Sequence, residues 1–259
     1  MQFYDDTTKQ GICQEIDRLC DSDDTSYTRL AKTSRVNTSL EELVGDIINA
    51  DGTWQYDDTN YSTTPFGTGT LISGQISYSF ASEYLQIEEI SILDVNGYFR
   101  KLTPFDSSEV GMTFEEYFNI TYNGTTYTAV AGLSTHYDKF GDTIVLSNSP
   151  TATYVTLSKG LKVKFKRTAQ LFTAVSTTAA DTTEPGLPST HHVILAYMAS
   201  IPYCMTYKKD RVDQYRRVVG STDPTSPYYG GMKKSLIKAY STREKDKKNV
   251  ITMQQISFR

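Results

Sequence analysis

Apolar residues follow helical spacing at the two ends of the chain but not in its middle. In residues 8–20 and again in about 33–50, apolar side chains recur every three or four positions, which predicts two amphipathic helices. The same spacing over 189–219 predicts a helix that Pro202 should kink, because proline removes one backbone hydrogen bond. A last helix is predicted over 232–240. Each of these helices needs another helix to cover its apolar face.

In the middle of the chain the period changes to two, and short runs rich in β-branched and aromatic residues indicate strands. The predicted strands are 70–72, 76–80, 84–95, 98–102, 120–122, 126–130, 143–146, 154–157 and 161–167. Asn96-Gly97 and Asn123-Gly124 predict hairpin turns, since type I′ turns need positive φ at both central positions. Thr113 and Glu116 predict a capping box on a short helix. Together these signals predict an antiparallel sandwich or barrel.

The order of elements predicts an α+β protein whose helical domain is discontinuous. Residues 1–66 are expected to form its N-terminal helical part, and residues 173–246 a C-terminal helical part that packs on it. Residues 67–172 are the expected inserted β module. Residues 247–259 contain apolar and β-branched side chains but no turn partner, which predicts an extended docking tail.

Charge is strongly divided along the chain. Residues 1–60 carry 13 acidic and 5 basic side chains, whereas residues 203–259 carry 5 acidic and 13 basic ones, although the whole chain has a net charge of only −4. In a ring, one face of each copy meets a different face of the next, so opposite charges on two faces are self-complementary. The expected inter-subunit charge contacts are Asp21, Asp23, Asp24, Lys208, Lys209, Arg216, Arg217, Lys233 and Lys234.

The cysteines and the termini restrict the class of protein. Cys13, Cys20 and Cys204 are too few for a disulfide framework and are expected to be buried thiols. The N-terminus lacks the order of a signal peptide, and the apolar stretch from Val193 to Met205 is shorter than the roughly 18 residues of a membrane span. We expect a soluble protein without membrane contact, assembled in a reducing compartment.

Candidate catalytic residues do not form a recognisable set. Two pairs of adjacent carboxylates are present, Glu88 with Glu89 and Glu115 with Glu116. Neighbours in a strand point to opposite faces, and Glu116 is expected to serve the capping box. Of His191 and His192, one is expected to be a packed, hydrogen-bonded histidine, because no carboxylate or cysteine lies nearby in the sequence. The sequence therefore predicts a protein that is not an enzyme and holds no cofactor or metal.

A series of motifs spans nearly the whole chain. In order, they are Asp23-Asp24-Thr-Ser-Tyr27, Ala50-Asp-Gly-Thr-Trp54-Gln-Tyr-Asp-Asp58, Leu71-Ile-Ser-Gly-Gln75-Ile-Ser-Tyr78, Arg100-Lys-Leu-Thr-Pro104 and Pro185-Gly-Leu-Pro188. His192 and Ala196-Tyr-Met-Ala199 follow the last of them. Taken together, the series resembles the head-to-tail adaptor (connector) proteins of tailed bacteriophages, particularly those of short-tailed phages. The basic C-terminus departs from that pattern.

The resemblance implies a structural virion protein at the portal vertex, between head and tail, assembled in the host cytoplasm. Such adaptors form a homo-oligomeric ring, typically of twelve copies, that docks under the portal protein. The ring extends the channel for duplex DNA, which passes without sequence-specific binding, and offers a platform for tail nozzle, tail-tube and fibre proteins.

The tail is expected to dock on the portal or on a neighbouring copy by strand addition, in which backbone hydrogen bonds supply affinity and alternate side chains fill pockets. Its docking residues are Val250, Ile251, Thr252, Met253, Gln254, Gln255, Ile256, Ser257 and Phe258. Two other functions stay open. A receptor- or glycan-binding tail module would use the tyrosine-rich β module as its contact surface. A tail-associated glycosidase would require one of the carboxylate pairs to be catalytic.

Overall fold

The computed structural model describes residues 1–5, 7–50, 57–80, 84–123, 126–173 and 181–241. It confirms a mixed α+β protein. Two compact units divide the chain: residues 1–62 and the segment from 168 onward form the helical unit, and residues 63–167 form the β unit. The predicted tail, residues 247–259, lies outside the described residues, as does Gly124 of the predicted Asn123-Gly124 turn. Asn123 itself is the last residue of a strand, paired with Thr126.

The helices in chain order are α1 (Ile12–Cys20), α2 (Arg29–Asn49), α3 (Ser107–Val110), α4 (Phe114–Phe118), α5 (Val193–Tyr207), α6 (Lys209–Val219) and α7 (Gly231–Ser241). The strands are β1 (Phe66–Gly69), β2 (Ser77–Ser79), β3 (Tyr84–Leu93), β4 (Phe99–Lys101), β5 (Thr103–Pro104), β6 (Thr121–Asn123), β7 (Thr126–Thr128), β8 (His136–Phe140), β9 (Thr143–Leu146) and β10 (Leu161–Arg167). A 3₁₀ turn, Ser189–His191, precedes α5.

In the helical unit, α5 packs against α1, α2 and α6. Its residues Ile194, Leu195 and Ala199 are fully buried, because helices surround it on several sides. The three cysteines are free and buried, as predicted, with Cys20 Sγ 3.9 Å from Cys204 Sγ. No helix in the described part of the chain combines the length and the apolar character that a bilayer crossing requires.

The second helix begins four residues before the predicted start. Thr28 caps α2 by accepting a hydrogen bond from the Ala31 N–H at 3.3 Å. The first turn then places Arg29 and Lys32 in the interior, where they are 1% and 0% exposed. Charged residues at buried positions conceal the apolar stripe from a periodicity analysis, which explains the error.

The helix predicted over 189–219 is two helices, and the interruption lies at Lys208 rather than at Pro202. The helix α5 continues through Pro202 to Tyr207, and Lys208 then adopts a non-helical backbone with φ −140° and ψ 58°. After this break, Arg211 of α6 reaches back to the Leu19 carbonyl at 2.7 Å. The break therefore coincides with a contact between α6 and the end of α1. A contact between residues so far apart in sequence cannot be predicted from the local pattern.

Two four-stranded sheets form the β unit. One has the order β1-β10-β3-β4 and is antiparallel throughout; the other has the order β2-β9-β8-β5, in which β5 and β8 are parallel. The strands β6 and β7 form a separate hairpin. Both larger sheets contribute to one hydrophobic cluster. The strands β3 and β10 contribute alternate residues to it, Ile90 and Ile92 and then Leu161 and Val163, as period-two patterning predicts. The strand β9 contributes the consecutive residues Ile144, Val145 and Leu146, and Ile76 joins from just before β2.

The predictions for local elements in the β unit were partly right. Residues 143–146 and 161–167 are strands with the predicted bounds, and the Thr113–Glu116 capping box is present. A hairpin joins β3 and β4 at Asn96-Gly97, but the predicted type I′ turn is wrong: Gly97 has φ +83°, whereas Asn96 does not have positive φ. The Gly97 N–H donates to the Asp94 carbonyl at 3.1 Å, so Val95 and Asn96 are the central residues of the turn. Residues 70–72 and 154–157 are not strands. The Leu71 N–H donates to the Leu157 carbonyl, and Val155 pairs with Asp94 in an isolated bridge, but neither pairing extends into a ladder.

Candidate interaction surface of the helical unit

Asp21 and Lys208, two of the predicted inter-subunit charges, lie next to each other in one chain. Asp21 ends α1 in the left-handed conformation, and its carboxylate pairs with Lys208 Nζ at 3.5 Å and with the Arg211 guanidinium. The hydrogen bond from Arg211, helped by Lys208, lowers the pKa of Asp21. These charges therefore hold the end of α1 against α6 within the chain.

Lys233 also has partners within the chain. Its Nζ lies 2.7 Å from Glu42 Oε1 and 2.6 Å from Asp46 Oδ2, so that α7 is tied to α2. The Lys233 side chain is only 13% exposed. Burial opposes the charged ammonium, but the two nearby carboxylates of Asp46 and Glu42 outweigh it and raise the pKa of Lys233. An acidic N-terminal segment and a basic C-terminal segment are thus joined by charge inside one helical unit.

The acidic turn between α1 and α2 is organised around Lys32. Lys32 Nζ lies 2.6 Å from Asp17 and 2.8 Å from Asp24, and Arg29 pairs with Asp24 at 3.4 Å. Burial disfavours the charged lysine, yet its hydrogen bonds to Asp17 and Asp24 raise the pKa of Lys32. Asp23 instead accepts from the backbone N–H groups of residues 25 and 26, at 3.0 and 2.8 Å. Asp24 therefore stabilises the fold through its ion pairs with Lys32 and Arg29, whereas Asp23 stabilises an exposed turn.

Four of the predicted cations lie on the outer surface of α6 and α7. Arg217 pairs with Asp213 one turn away at 3.0 Å, and Arg216 approaches the Met205 sulfur at 3.8 Å. Lys234 Nζ stands 3.7 Å from the centre of the Tyr229 ring. Lys209 is exposed and makes no ion pair within the part of the chain that the structure describes. These side chains are the predicted charges that remain most available to another protein.

A groove that no sequence pattern predicted opens between α2, α5 and α7. Its volume is about 260 Å³. Met198, Ile201 and Pro202 of α5 supply apolar surface, while α2 supplies polar and charged groups that include Arg35. Pro202 has no N–H to donate to the Met198 carbonyl, so the helix presents a gap in its hydrogen bonding on this stretch. The proline was the one signal in the sequence that could have indicated a special surface here.

Several candidates from the sequence, namely Glu88, Glu89, Glu116 and His192, have structural partners. Glu88 pairs with Lys164 at 2.9 Å, and Glu89 accepts from the Ser91 hydroxyl at 2.9 Å. His192 is 1% exposed and lies between the N-terminal ammonium and the Leu187 carbonyl, each 2.7 Å away, which confirms a packed, hydrogen-bonded histidine. Within the described residues, no group of three or more histidine, cysteine, aspartate or glutamate side chains could hold a metal ion.

Comparison with known proteins does not assign the chain to a family. No family model matches the sequence, and no curated protein matches it.

Proposed function

We propose that this chain is a head-to-tail adaptor of a tailed bacteriophage, of the short-tailed type. Copies form a ring, typically of twelve, which docks under the portal, extends the DNA channel and carries the tail components. In this proposal the helical unit is a discontinuous domain that builds the ring, and the β module is an insertion in it. The protein resides in the virion at the portal vertex after assembly in the host cytoplasm.

The groove between α2, α5 and α7 is the observation that carries the proposal. Apolar side chains form part of its wall, while Arg35, Glu42 and Lys233 provide charge around it. Protein interfaces combine an apolar centre with a polar rim in this way. A groove of about 260 Å³ has room for one or two side chains of a neighbouring copy rather than for a large ligand.

The distribution of charge supports a ring, although less simply than the sequence suggested. Asp21, Asp24 and Lys233 are engaged within the chain, so they offer little to a neighbour. Lys209 and Lys234 lie at the basic end of the charge gradient, on α6 and α7, whose apolar faces are buried in the core. Lys209 is exposed, and Lys234 is half-buried. We propose that these lysines meet acidic side chains of the next copy. The lumen then carries mixed or acidic charge, because dense lysine–phosphate contacts would hold the DNA in place.

The tail has a separate role in the proposal. Residues 249–258 add as a strand to the portal or to a neighbouring copy, with Val250, Ile256 and Phe258 in pockets. Deletion of residues 249–259 should abolish co-sedimentation with portal rings of the source phage and leave the unfolding transition unchanged. Unchanged co-sedimentation would contradict this role.

Oligomeric state, measured on the full chain alone and with portal rings, tests the proposal. Native mass spectrometry and electron microscopy should show a closed ring on the portal. Thr38 is exposed and lines the groove, so Thr38→Trp should obstruct it and prevent ring closure. Ser34→Trp, one turn earlier on the same helix and outside the groove, is the matched control. A protein that stays monomeric on portal rings, or rings unaffected by Thr38→Trp, would overturn the proposal.

A further inference from the structure

The β unit contains an open cavity, lined by both apolar and polar side chains, that the proposed adaptor function does not use. Its volume is about 530 Å³, which lies within the range typical of small-ligand sites, about 300–1,000 Å³. Four stretches of chain surround it: the turn at 94–96, the strand β4 with Thr103, the segment 133–136, and residues 153–154. The combination of cationic, hydroxyl and aromatic side chains in one cavity points to a specific kind of ligand.

Asp94 holds the Arg100 side chain at Nε, while more than half of that side chain is exposed. Its Nε donates to Asp94 Oδ2 at 2.9 Å, while Asp94 Oδ1 accepts from the N–H groups of Asn96 and Tyr98, both at 2.9 Å. The Asp94 side chain is 5% exposed, whereas that of Arg100 is 57% exposed. The Tyr98 N–H, then Arg100, lowers the pKa of Asp94, so the carboxylate stays charged and fixes the arginine. The two terminal amino groups of the guanidinium have no hydrogen bond or ion pair to another residue in the described ranges, so they are left for a ligand.

The opposite wall is rich in hydrogen-bonding groups, several of which are bonded to one another. The Thr103 N–H donates to the Thr135 carbonyl at 3.0 Å, and the Ser134 hydroxyl donates to the Asn148 carbonyl at 2.9 Å. His136 Nδ1 lies 2.9 Å from the Thr135 hydroxyl, and the Phe118 ring packs against the imidazole with a centroid separation of 5.3 Å. This arrangement holds the His136 ring in place and presents threonine hydroxyls around it.

An aromatic ring and a second cation complete the cavity. Tyr154 is 44% exposed, so one part of its ring is accessible. Lys101 is 66% exposed and pairs with Glu89 at 3.5 Å, a distance at which an exposed ion pair is weak. An accessible tyrosine ring beside hydroxyl groups suits the apolar face of a sugar ring, and a guanidinium fork suits a carboxylate.

We propose that this cavity binds a saccharide that carries a carboxylate, such as a sialic or uronic acid unit. Arg100 receives the carboxylate through its terminal amino groups, with Lys101 beside it. The side chains of His136, Thr103 and Thr135 bond the ring hydroxyls, and Tyr154 packs on the sugar face. The β unit would then recognise an acidic glycan, independently of any ring that the helical unit forms.

Binding of the full chain to a glycan array tests the proposal. The array carries oligosaccharides with N-acetylneuraminic acid or glucuronic acid, their neutral counterparts and phosphorylated sugars. Carboxylated glycans should bind, and the neutral counterparts should bind at least about tenfold more weakly, because a charge-assisted pair is lost. Equal binding of neutral glycans, binding confined to phosphorylated sugars, or no binding of any carboxylated glycan would overturn the proposal.

Variants of the cavity separate recognition from folding. Arg100→Ala should weaken binding of the best carboxylated glycan about tenfold or more, and Arg100→Lys, which keeps the charge but loses the fork, should fall between. Lys139 is an exposed cation of the same unit outside the cavity, so Lys139→Ala should bind as the unaltered chain does. Equal affinity of Arg100→Ala and Lys139→Ala would contradict the assigned role. Ring formation on portals should be unchanged in all three variants, which distinguishes this site from the adaptor function.

Discussion

The carboxylate of Asp58 occupies the space that any side chain on residue 186 would need, since a Cβ on Gly186 would lie 1.7 Å from Oδ1 of Asp58. Asp58 is 1% exposed, and its Oδ2 accepts from the Gln170 N–H at 2.7 Å. Its Oδ1 accepts from the Asn60 N–H at 2.8 Å. One buried carboxylate thus joins segments of the helical unit that are more than a hundred residues apart in sequence.

Gly186→Ala should therefore destabilise the protein by about 2 kcal/mol or more, because Asp58 must leave at least one backbone partner. Urea unfolding measures the change. Gly45→Ala is the matched control: it lies in α2, where an added Cβ has no heavy atom within 4 Å. That substitution should stabilise the protein by about 0.5–1 kcal/mol, since alanine favours the helix over glycine. Equal stability of the two variants would show that Asp58 can move at no cost.

Lys233→Met should loosen α7 from α2. It leaves the carboxylates of Glu42 and Asp46 without their shared cation, and we expect a loss of roughly 1–3 kcal/mol, less than for a fully buried pair. Lys233→Arg keeps the charge and should lose less. Because the folded-state pKa of Lys233 is raised above 10.5, its contribution is complete below that pH and lost as pH rises through the folded value. Urea midpoints at pH 7 and pH 9 should thus differ from those of the unaltered chain by the same amount.

Asp21→Asn should change how the free energy of unfolding depends on pH in the acid range. Asparagine tolerates the left-handed backbone of this position, so the substitution removes the charge without straining the end of α1. The pKa of Asp21 is lowered below 3.8 in the folded protein, so its contribution is present above that pH and lost as pH falls through the folded value. The variant should have the lower urea midpoint at pH 7, and the two midpoints should converge toward pH 3.

Glu41→Gln is the control for this acid effect. Glu41 is exposed on α2, and no hydrogen bond or ion pair reaches its side chain within the described residues. Its urea midpoint should follow that of the unaltered chain at every pH. A constant gap between Asp21→Asn and the unaltered chain from pH 7 to pH 3 would exclude the ion pair as the cause.

Local signals in the sequence predicted local structure well. The Thr113–Glu116 capping box and the strand at 161–167 depend on residues that are close in sequence, and both are present as predicted. The strand β8 was missed, because His136, Asp138 and Lys139 give it no clear apolar alternation. Hydrophobic periodicity therefore predicts strands whose side chains line a core. It does not predict strands that are defined only by backbone pairing with a neighbouring strand.

The candidate sites required contacts that sequence position does not reveal. Lys233 finds Glu42 across 191 residues, so a charge predicted to face another copy is neutralised within the chain. The cavity around Arg100 likewise assembles segments from 94 to 154. The sequence showed that charge was divided between the ends, and only the fold shows which charges are already paired. This restricts the cations available to a partner, and among the predicted contact charges Lys209 is the exposed lysine that remains.

Lys209→Glu should weaken ring assembly if copies meet through charge. Lys209 is exposed and has no ion pair among the described residues, so reversing its charge alters an outer surface rather than an internal contact. Opposite charges across an interface speed association and fix register, and like charges disfavour it. Native mass spectrometry on portal rings should show fewer closed rings for the variant, and the deficit should shrink as salt rises and screens the repulsion. Lys139→Glu makes the same charge change in the β unit and should assemble normally. Equal assembly of the two variants at low salt would place Lys209 outside the interface.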